Sequence, residues 1–203
     1  MPKTHNQRSH RSGWHKRSRS HRFNFTFTNV GMFVVIVAII FAWWYETRTV
    51  QSETYRVQGK PSISADFINQ VLDHYHSPAA NKGQALYDDG VIYGIDPVYA
   101  LAFFMHESSF GTTGVAMVTH SLGNIRATTG YQQYEGYRLY PTWEAGFVDW
   151  YKLIAEQYVA QWKLVTVDQI VPVYAPSTEN DVDAYIQTVK HAVDTWRSGI
   201  IEV

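Results

Sequence analysis

Glu107 is the residue of this chain best placed to carry chemistry. It follows the apolar run Ala100-Leu101-Ala102-Phe103-Phe104-Met105-His106. In a helix, Phe103 and Phe104 share its face, because they lie four and three residues before it. A carboxyl held against aromatic rings loses hydration and binds its proton more tightly. The negative end of the helix dipole pushes the same way. Both effects favour a protonated acid near neutral pH, the state from which a carboxyl can donate to a leaving group. Other chemistries are excluded by the same stretch. A zinc site of the HExxH type starting at His106 requires histidine at 110, where the chain has Phe110. Ser108 and Ser109 lack the G-x-S-x-G frame of an activated serine. With no cysteine anywhere, thiolate metal sites, disulfides and thiol nucleophiles are excluded as well. His5, His10, His15 and His21 show no metal-ligand spacing. No metal and no cofactor is expected.

The elements that must hold Glu107 are mainly helical. Asp96-Pro97 is a helix start, a capping carboxylate followed by proline at the first helical position. The helix it opens is apolar nearly all round and stops at Gly111, so it is predicted to be the central buried helix. Ser64 caps a helix from Ala65 to about Tyr75, with Phe67, Ile68, Val71 and Leu72 on one face. Lys82 to Gly94 reads as a second, shorter helix. From Gly123 to Tyr140, Thr, Tyr and Gly recur without helical period, which predicts a β-hairpin or extended loop. Thr142 caps a further helix carrying Phe147, Trp150 and Tyr151. A last helix starts near Asp181 and carries Tyr185, Ile186, Val189 and Trp196. The loop from Tyr174 to Asp181 either caps that helix or lines one end of a groove.

Three segments in order resemble the bacterial glucosaminidase family. The run 100–111, ending Glu107-Ser108-Ser109-Phe110-Gly111, is similar to its catalytic helix. Ser121-Leu122-Gly123-Asn124-Ile125-Arg126-Ala127 resembles its Asn-Leu-Phe-Gly-Ile-Lys segment. Tyr137-Arg138-Leu139-Tyr140 resembles its Phe-Arg-x-Tyr segment, again followed by a helix. The order Leu122-Gly123-Asn124 and the presence of His106 depart from the family pattern. The resemblance implies an α+β, mainly helical, lysozyme-like fold with a small β-hairpin. It also implies cleavage of the β-1,4 bond after N-acetylglucosamine in peptidoglycan, with Glu107 as general acid. Glycosidases usually pair two carboxylates. Glu135, in the Tyr-rich hairpin, is the candidate partner, while Glu144 and Asp149 sit near a helix start and read as structural. Asn124 and Arg126 are candidates to contact the N-acetyl group. Tyr131, Tyr137 and Tyr140 are candidates for a sugar-binding groove, since pyranose faces stack on aromatic rings; core packing is their alternative use.

Charge divides the chain. Residues 1–22 carry seven Lys and Arg and no acid, leaving ten Lys and Arg against all 18 acids, a balance of −8 for the remainder. Val30 to Tyr45 holds no charged residue, and extended back to Phe25 it approaches the ~20 residues that cross a bilayer core. Trp43, Trp44 and Tyr45 stand where an interfacial aromatic belt would lie. No small-x-small cleavage site follows, so the run reads as an uncleaved anchor. The expected organisation is a basic cytoplasmic tail over 1–24, a transmembrane signal-anchor helix over 25–45, a linker over 46–61 and the lysozyme-like domain over 62–203. The positive-inside rule then puts the N-terminus in the cytoplasm and the domain outside a single-pass anchor. Peptidoglycan strands and the membrane are the expected partners; nucleic acid is not. A lytic transglycosylase, which uses one acid, is the near alternative. A non-catalytic glycan-binding or scaffold module of the cell envelope is the alternative of a different class.

Overall fold

The computed structural model describes residues 25–178 and 180–203. The basic tail at 1–24 lies outside them, as does Glu179. The chain divides into two compact units at Tyr45/Glu46. In the first, helix α1 (Phe25–Thr54) begins, and its large apolar side chains from Met32 to Tyr45 are exposed. Among the described residues no helix is long and apolar enough to cross a membrane. The described residues therefore give the expected transmembrane helix at 25–45 no support.

The second unit is built from helices α2 (Ala65–His74), α3 (Gly83–Tyr93), α4 (Pro97–Ser108), α5 (Ala116–Thr119), α6 (Trp143–Lys152), α7 (Val167–Tyr174) and α8 (Val182–Arg197), with one hairpin, β1 (Gln133–Tyr134) and β2 (Tyr137–Arg138). The central position of α4 follows from its composition. Pro97 through Phe104 are all buried, and α4 packs against α8 and α3, while α3 also contacts α2 and α6. The caps are those the sequence predicts. Ser64, Asp96, Thr142 and Asp181 accept from the backbone N–H groups of Phe67, Val98, Ala145 and Ala184. Gly94, left-handed at φ 67°, ends α3. The fold is α+β and mainly helical, with a small two-stranded antiparallel sheet.

Three features depart from the sequence reading. Residues 55–58, assigned to the linker, pack into the domain: Val57 is buried, its N–H donates to the Val165 carbonyl, and its own carbonyl accepts from Asp96 N–H. The helix that Thr142 caps runs on past α6 as a π-helical segment, Leu153–Gln161, which the sequence reading does not distinguish. α7 has no counterpart in the expected elements. Its Pro172 and valines disguise the helical period, and its start is held by the Gln169 side chain, which accepts from the N–H groups of Val165 and Thr166.

Asp96 ties the start of α4 to the end of α8. It is buried, accepts from the N–H groups of Ser62 and Val98, and pairs with Arg197 at 3.0 Å. Replacing Asp96 by alanine removes a cap and leaves Arg197 without its partner. Asp96→Ala is expected to destabilise the chain by about 3 kcal/mol, at the low end for a broken buried pair because Arg197 stays partly hydrated. Asp181→Ala, which loses only a surface cap, should cost about 1 kcal/mol. Urea unfolding of both variants checks the order; equal losses would refute the account.

Candidate active site

Glu107 stands in the last turn of α4, and three contacts fix that turn. The Ser108 hydroxyl, which sequence reading excluded as a nucleophile, donates to the Leu122 carbonyl at 2.8 Å and accepts from Gly111 N–H. Asn124 Nδ2 donates to the Glu107 carbonyl at 2.7 Å. Gly123 lets this loop approach the helix layer, since a Cβ there would lie 2.5 Å from Trp150 Cδ1. The Ser108 and Asn124 bonds seat the 121–124 loop beside the end of α4.

The Glu107 carboxyl opens into a cleft of about 590 Å³. One wall is the loop and hairpin, with Asn124, Arg126, Thr128, Tyr137 and Arg138. The other is the π-helical segment, with Leu153, Gln157 and Tyr158, together with Tyr174, Ala175, Pro176 and Asn180. The 174–181 loop therefore takes the groove-lining role that was one of its two readings. A wide helical turn at a site of this kind is a recurrent device.

Burial raises the Glu107 carboxyl from its ordinary 4.5 to about 7; a hydrogen bond from Tyr185 and the positive charge of Arg126 act against that rise. The Tyr185 hydroxyl donates to Glu107 Oε1 at 2.6 Å. Around them lie aromatic rings. Phe103 packs against Trp150, Tyr174 and Tyr185, and the His106 ring stacks on Tyr185 at 3.6 Å. Phe103 packs on Tyr185, the hydrogen-bond partner of Glu107, whereas Phe104 turns to Phe147 and Trp150 in the core. Tyr185 and Tyr174 were not singled out as site residues from the sequence. They reach Glu107 from elements more than 60 positions downstream, and only their apolar, core-like spacing is visible in the chain.

The fold gathers Glu107, Asn124, Arg126 and Tyr137 at the cleft, with the Arg126 guanidinium 4.6 Å over the Tyr137 ring. It does not bring the other three candidates there. Glu135 occupies the hairpin tip, exposed, because a two-residue turn with φ 50° at Glu135 and 84° at Gly136 is what closes β1 onto β2. Tyr140 is buried and its hydroxyl donates to Asp149, which also pairs with Arg138 at 2.7 Å. Tyr131 is exposed outside the cleft, its ring covered by the Arg138 guanidinium at 3.8 Å. Glu144 pairs with Lys82 on the surface. Among the described residues, Glu107 is the one carboxylate lining the cleft, and no group of three or more His, Asp or Glu is placed to hold a metal ion.

No protein-family model matches the sequence, and no curated protein matches it either. The fold is nevertheless shared with solved structures of S. aureus autolysin E. One, in complex with the muropeptide NAM-L-Ala-D-iGlu, has 12% sequence identity and a TM-score of 0.51, covering 71% of this chain and 72% of that one. A catalytic mutant of the same protein, in complex with the disaccharide NAG-NAM, has 12% identity and a TM-score of 0.50 over the same shares. Autolysin E alone aligns at 13% identity and a TM-score of 0.51, covering 71% of each chain.

The raised carboxyl makes a stability prediction. Between 4.5 and about 7 the folded chain keeps a proton that the unfolded chain has lost, so stability falls as pH rises through that window. Glu107→Gln removes this dependence. Below pH 4.5 the variant should match the native chain; above 7 it should be the more stable by on the order of 3 kcal/mol. Chemical denaturation at pH 4 and pH 8 tests this; an unchanged difference between the two would contradict a desolvated Glu107.

Proposed function

We propose that this chain is a peptidoglycan hydrolase that cleaves the β-1,4 glycosidic bond after N-acetylglucosamine, with Glu107 as general acid. The observation that carries the reading is the Glu107 carboxyl itself: partly buried, held by Tyr185 and raised to about 7, it keeps a proton near neutral pH. Protonating a glycosidic oxygen requires that state. As the C–O bond breaks, the proton passes from Glu107 to the leaving sugar, and a carboxylate is left behind until water bonds to the anomeric carbon and returns a proton to it. Tyr185 and Arg126 then stabilise that negative charge, the same two groups that oppose the rise of its pKa. Asn124, Arg126 and Tyr137 line the cleft and are the proposed sugar contacts. The fold shared with a protein crystallised with NAG-NAM and with a muropeptide supports a wall glycan as the substrate class.

A second reading has its own support. Hydrolysis normally pairs two carboxylates, and Glu107 is the one carboxylate among the described residues of the cleft. A lytic transglycosylase needs one acid, because a hydroxyl of the substrate replaces water. Incubation of the full-length chain with purified peptidoglycan, followed by analysis of the released ends, separates the two. New reducing N-acetylglucosamine ends, reduced at least 100-fold in Glu107→Gln, are expected. Anhydro-muramic ends would instead establish the transglycosylase, and binding without cleavage would establish a glycan-binding module and sink the enzyme.

The uncharged run at 30–45 and the acid-free basic tail before it support a single-pass anchor, with the N-terminus in the cytoplasm and the domain outside. The full-length chain should fractionate with membranes and resist extraction by high salt, and a C-terminal tag should be reachable from outside intact cells. Release by salt, or an inaccessible tag, would contradict this topology.

A further inference from the structure

Three side chains of α4 meet one ring of α8. Phe103, His106 and Glu107 stand at i, i+3 and i+4, so they share one face of the helix. Tyr185 lies across that face. Its ring packs against Phe103 with centroids 5.7 Å apart, and stacks on His106 at 3.6 Å with 25° between the planes. Its hydroxyl donates to Glu107 Oε1 at 2.6 Å. Phe103 and Tyr185 are buried, whereas His106 is exposed, so the imidazole is the surface member of this stack. At that centroid distance the two rings are in van der Waals contact. The phenol cannot tilt away from Glu107 without driving an edge into the imidazole.

His106 adds no charge to the site. Loss of hydration lowers its imidazole below the ordinary 6.5, so the ring is neutral at pH 7. The influences on the Glu107 carboxyl are burial, the bond from Tyr185 and the charge of Arg126. Among the described residues, His106 is not part of the cleft lining. The titratable groups that act on the Tyr185 hydroxyl are Glu107, Tyr174 and Tyr158. An effect of His106 on the acid therefore passes through the Tyr185 ring.

We infer that His106 is a positioning residue: its ring holds Tyr185 in the orientation from which the hydroxyl donates to Glu107. The inference rests on the reading of Glu107 as the acid of this site. It gives a use to the residue at which the chain departs from the glucosaminidase pattern.

Two readouts on the full-length chain test this. One is the titration of Glu107, followed by the NMR shift of its carboxyl carbon. The other is the alkaline limb of the kcat/KM profile on purified peptidoglycan, which reports the acid of the free enzyme. Burial raises the Glu107 pKa and the Tyr185 bond opposes that rise, so losing the bond raises it further. Tyr185→Phe should move the titration up by about one pH unit, the worth of a hydrogen bond to a charged group. His106→Ala leaves a good helix former at an exposed position and should move it about half as far. His106→Phe keeps a ring for the stack and should hold the native value. Added to Tyr185→Phe, His106→Ala should shift nothing more, as expected of groups that act in series. An unmoved titration in His106→Ala overturns the inference. So does a downward shift, which water entering beside the carboxyl would cause. A fully additive shift in the double variant would place His106 on Glu107 directly and refute it. A shift in His106→Phe as large as in His106→Ala refutes the ring as the holding group. If the titrations come out as expected and peptidoglycan is not cleaved, the hydrolase reading fails and the positioning stands. Cleavage with an unmoved titration in His106→Ala sinks only the positioning.

Discussion

Keeping one carboxyl out of water at the end of α4 is the constraint on which the rest of the site depends. A carboxylate in an apolar setting costs several kcal/mol unless it is paired or protonated. This chain resolves the conflict mostly by protonation. Burial removes water from Glu107, while Tyr185, itself packed on Phe103, supplies a single hydrogen bond that limits the rise. A stronger partner would have pulled the carboxyl down into its ordinary range and ended its use as an acid. A cation bonded directly to it would have done the same. Arg126 acts on Glu107 through space, and its guanidinium lies over the Tyr137 ring.

The scaffold follows from that requirement. α4 must be rigid and buried, which its unbroken apolar surface achieves. The loop at 121–124 must come close, which Gly123, the Ser108 hydroxyl and the Asn124 amide achieve together. The far wall comes from an α-helix that widens into a π-helix, turning Leu153, Gln157 and Tyr158 towards the cleft. Charge that might have entered the site is spent elsewhere. Asp149 is engaged by Arg138 and Tyr140, and Glu144 by Lys82. Beside the acid, the described cleft is lined by Arg126 and Arg138 and otherwise by neutral side chains.

How much of this could be read from the chain differs from residue to residue. The start and end of α4 were legible, because Asp96-Pro97 and the Ser109-Phe110-Gly111 stop act within a few positions. So was the position of Glu107 in the last turn of that helix. Glu135 was misplaced for a local reason that the sequence did contain: Glu135-Gly136 is a two-residue turn, and a turn residue sits at the tip of a hairpin rather than over a distant cleft. For Tyr140 the sequence left groove lining and core packing open, and a non-local contact decides between them. Its hydroxyl is satisfied by Asp149, nine residues on and on another element, so a residue that looked like groove lining is a buried strut.

By itself the sequence determined the central helix, its caps, the acid at its end and the exclusion of thiol, serine and HExxH zinc chemistry, because each of these depends on neighbours within one or two turns. Only the tertiary structure decided which groups meet that acid. Tyr185 arrives from α8 and Tyr174 from α7, and neither approach is encoded in a local spacing. Both depend on how helices far apart in the chain pack around α4, and on which hydroxyls find partners there.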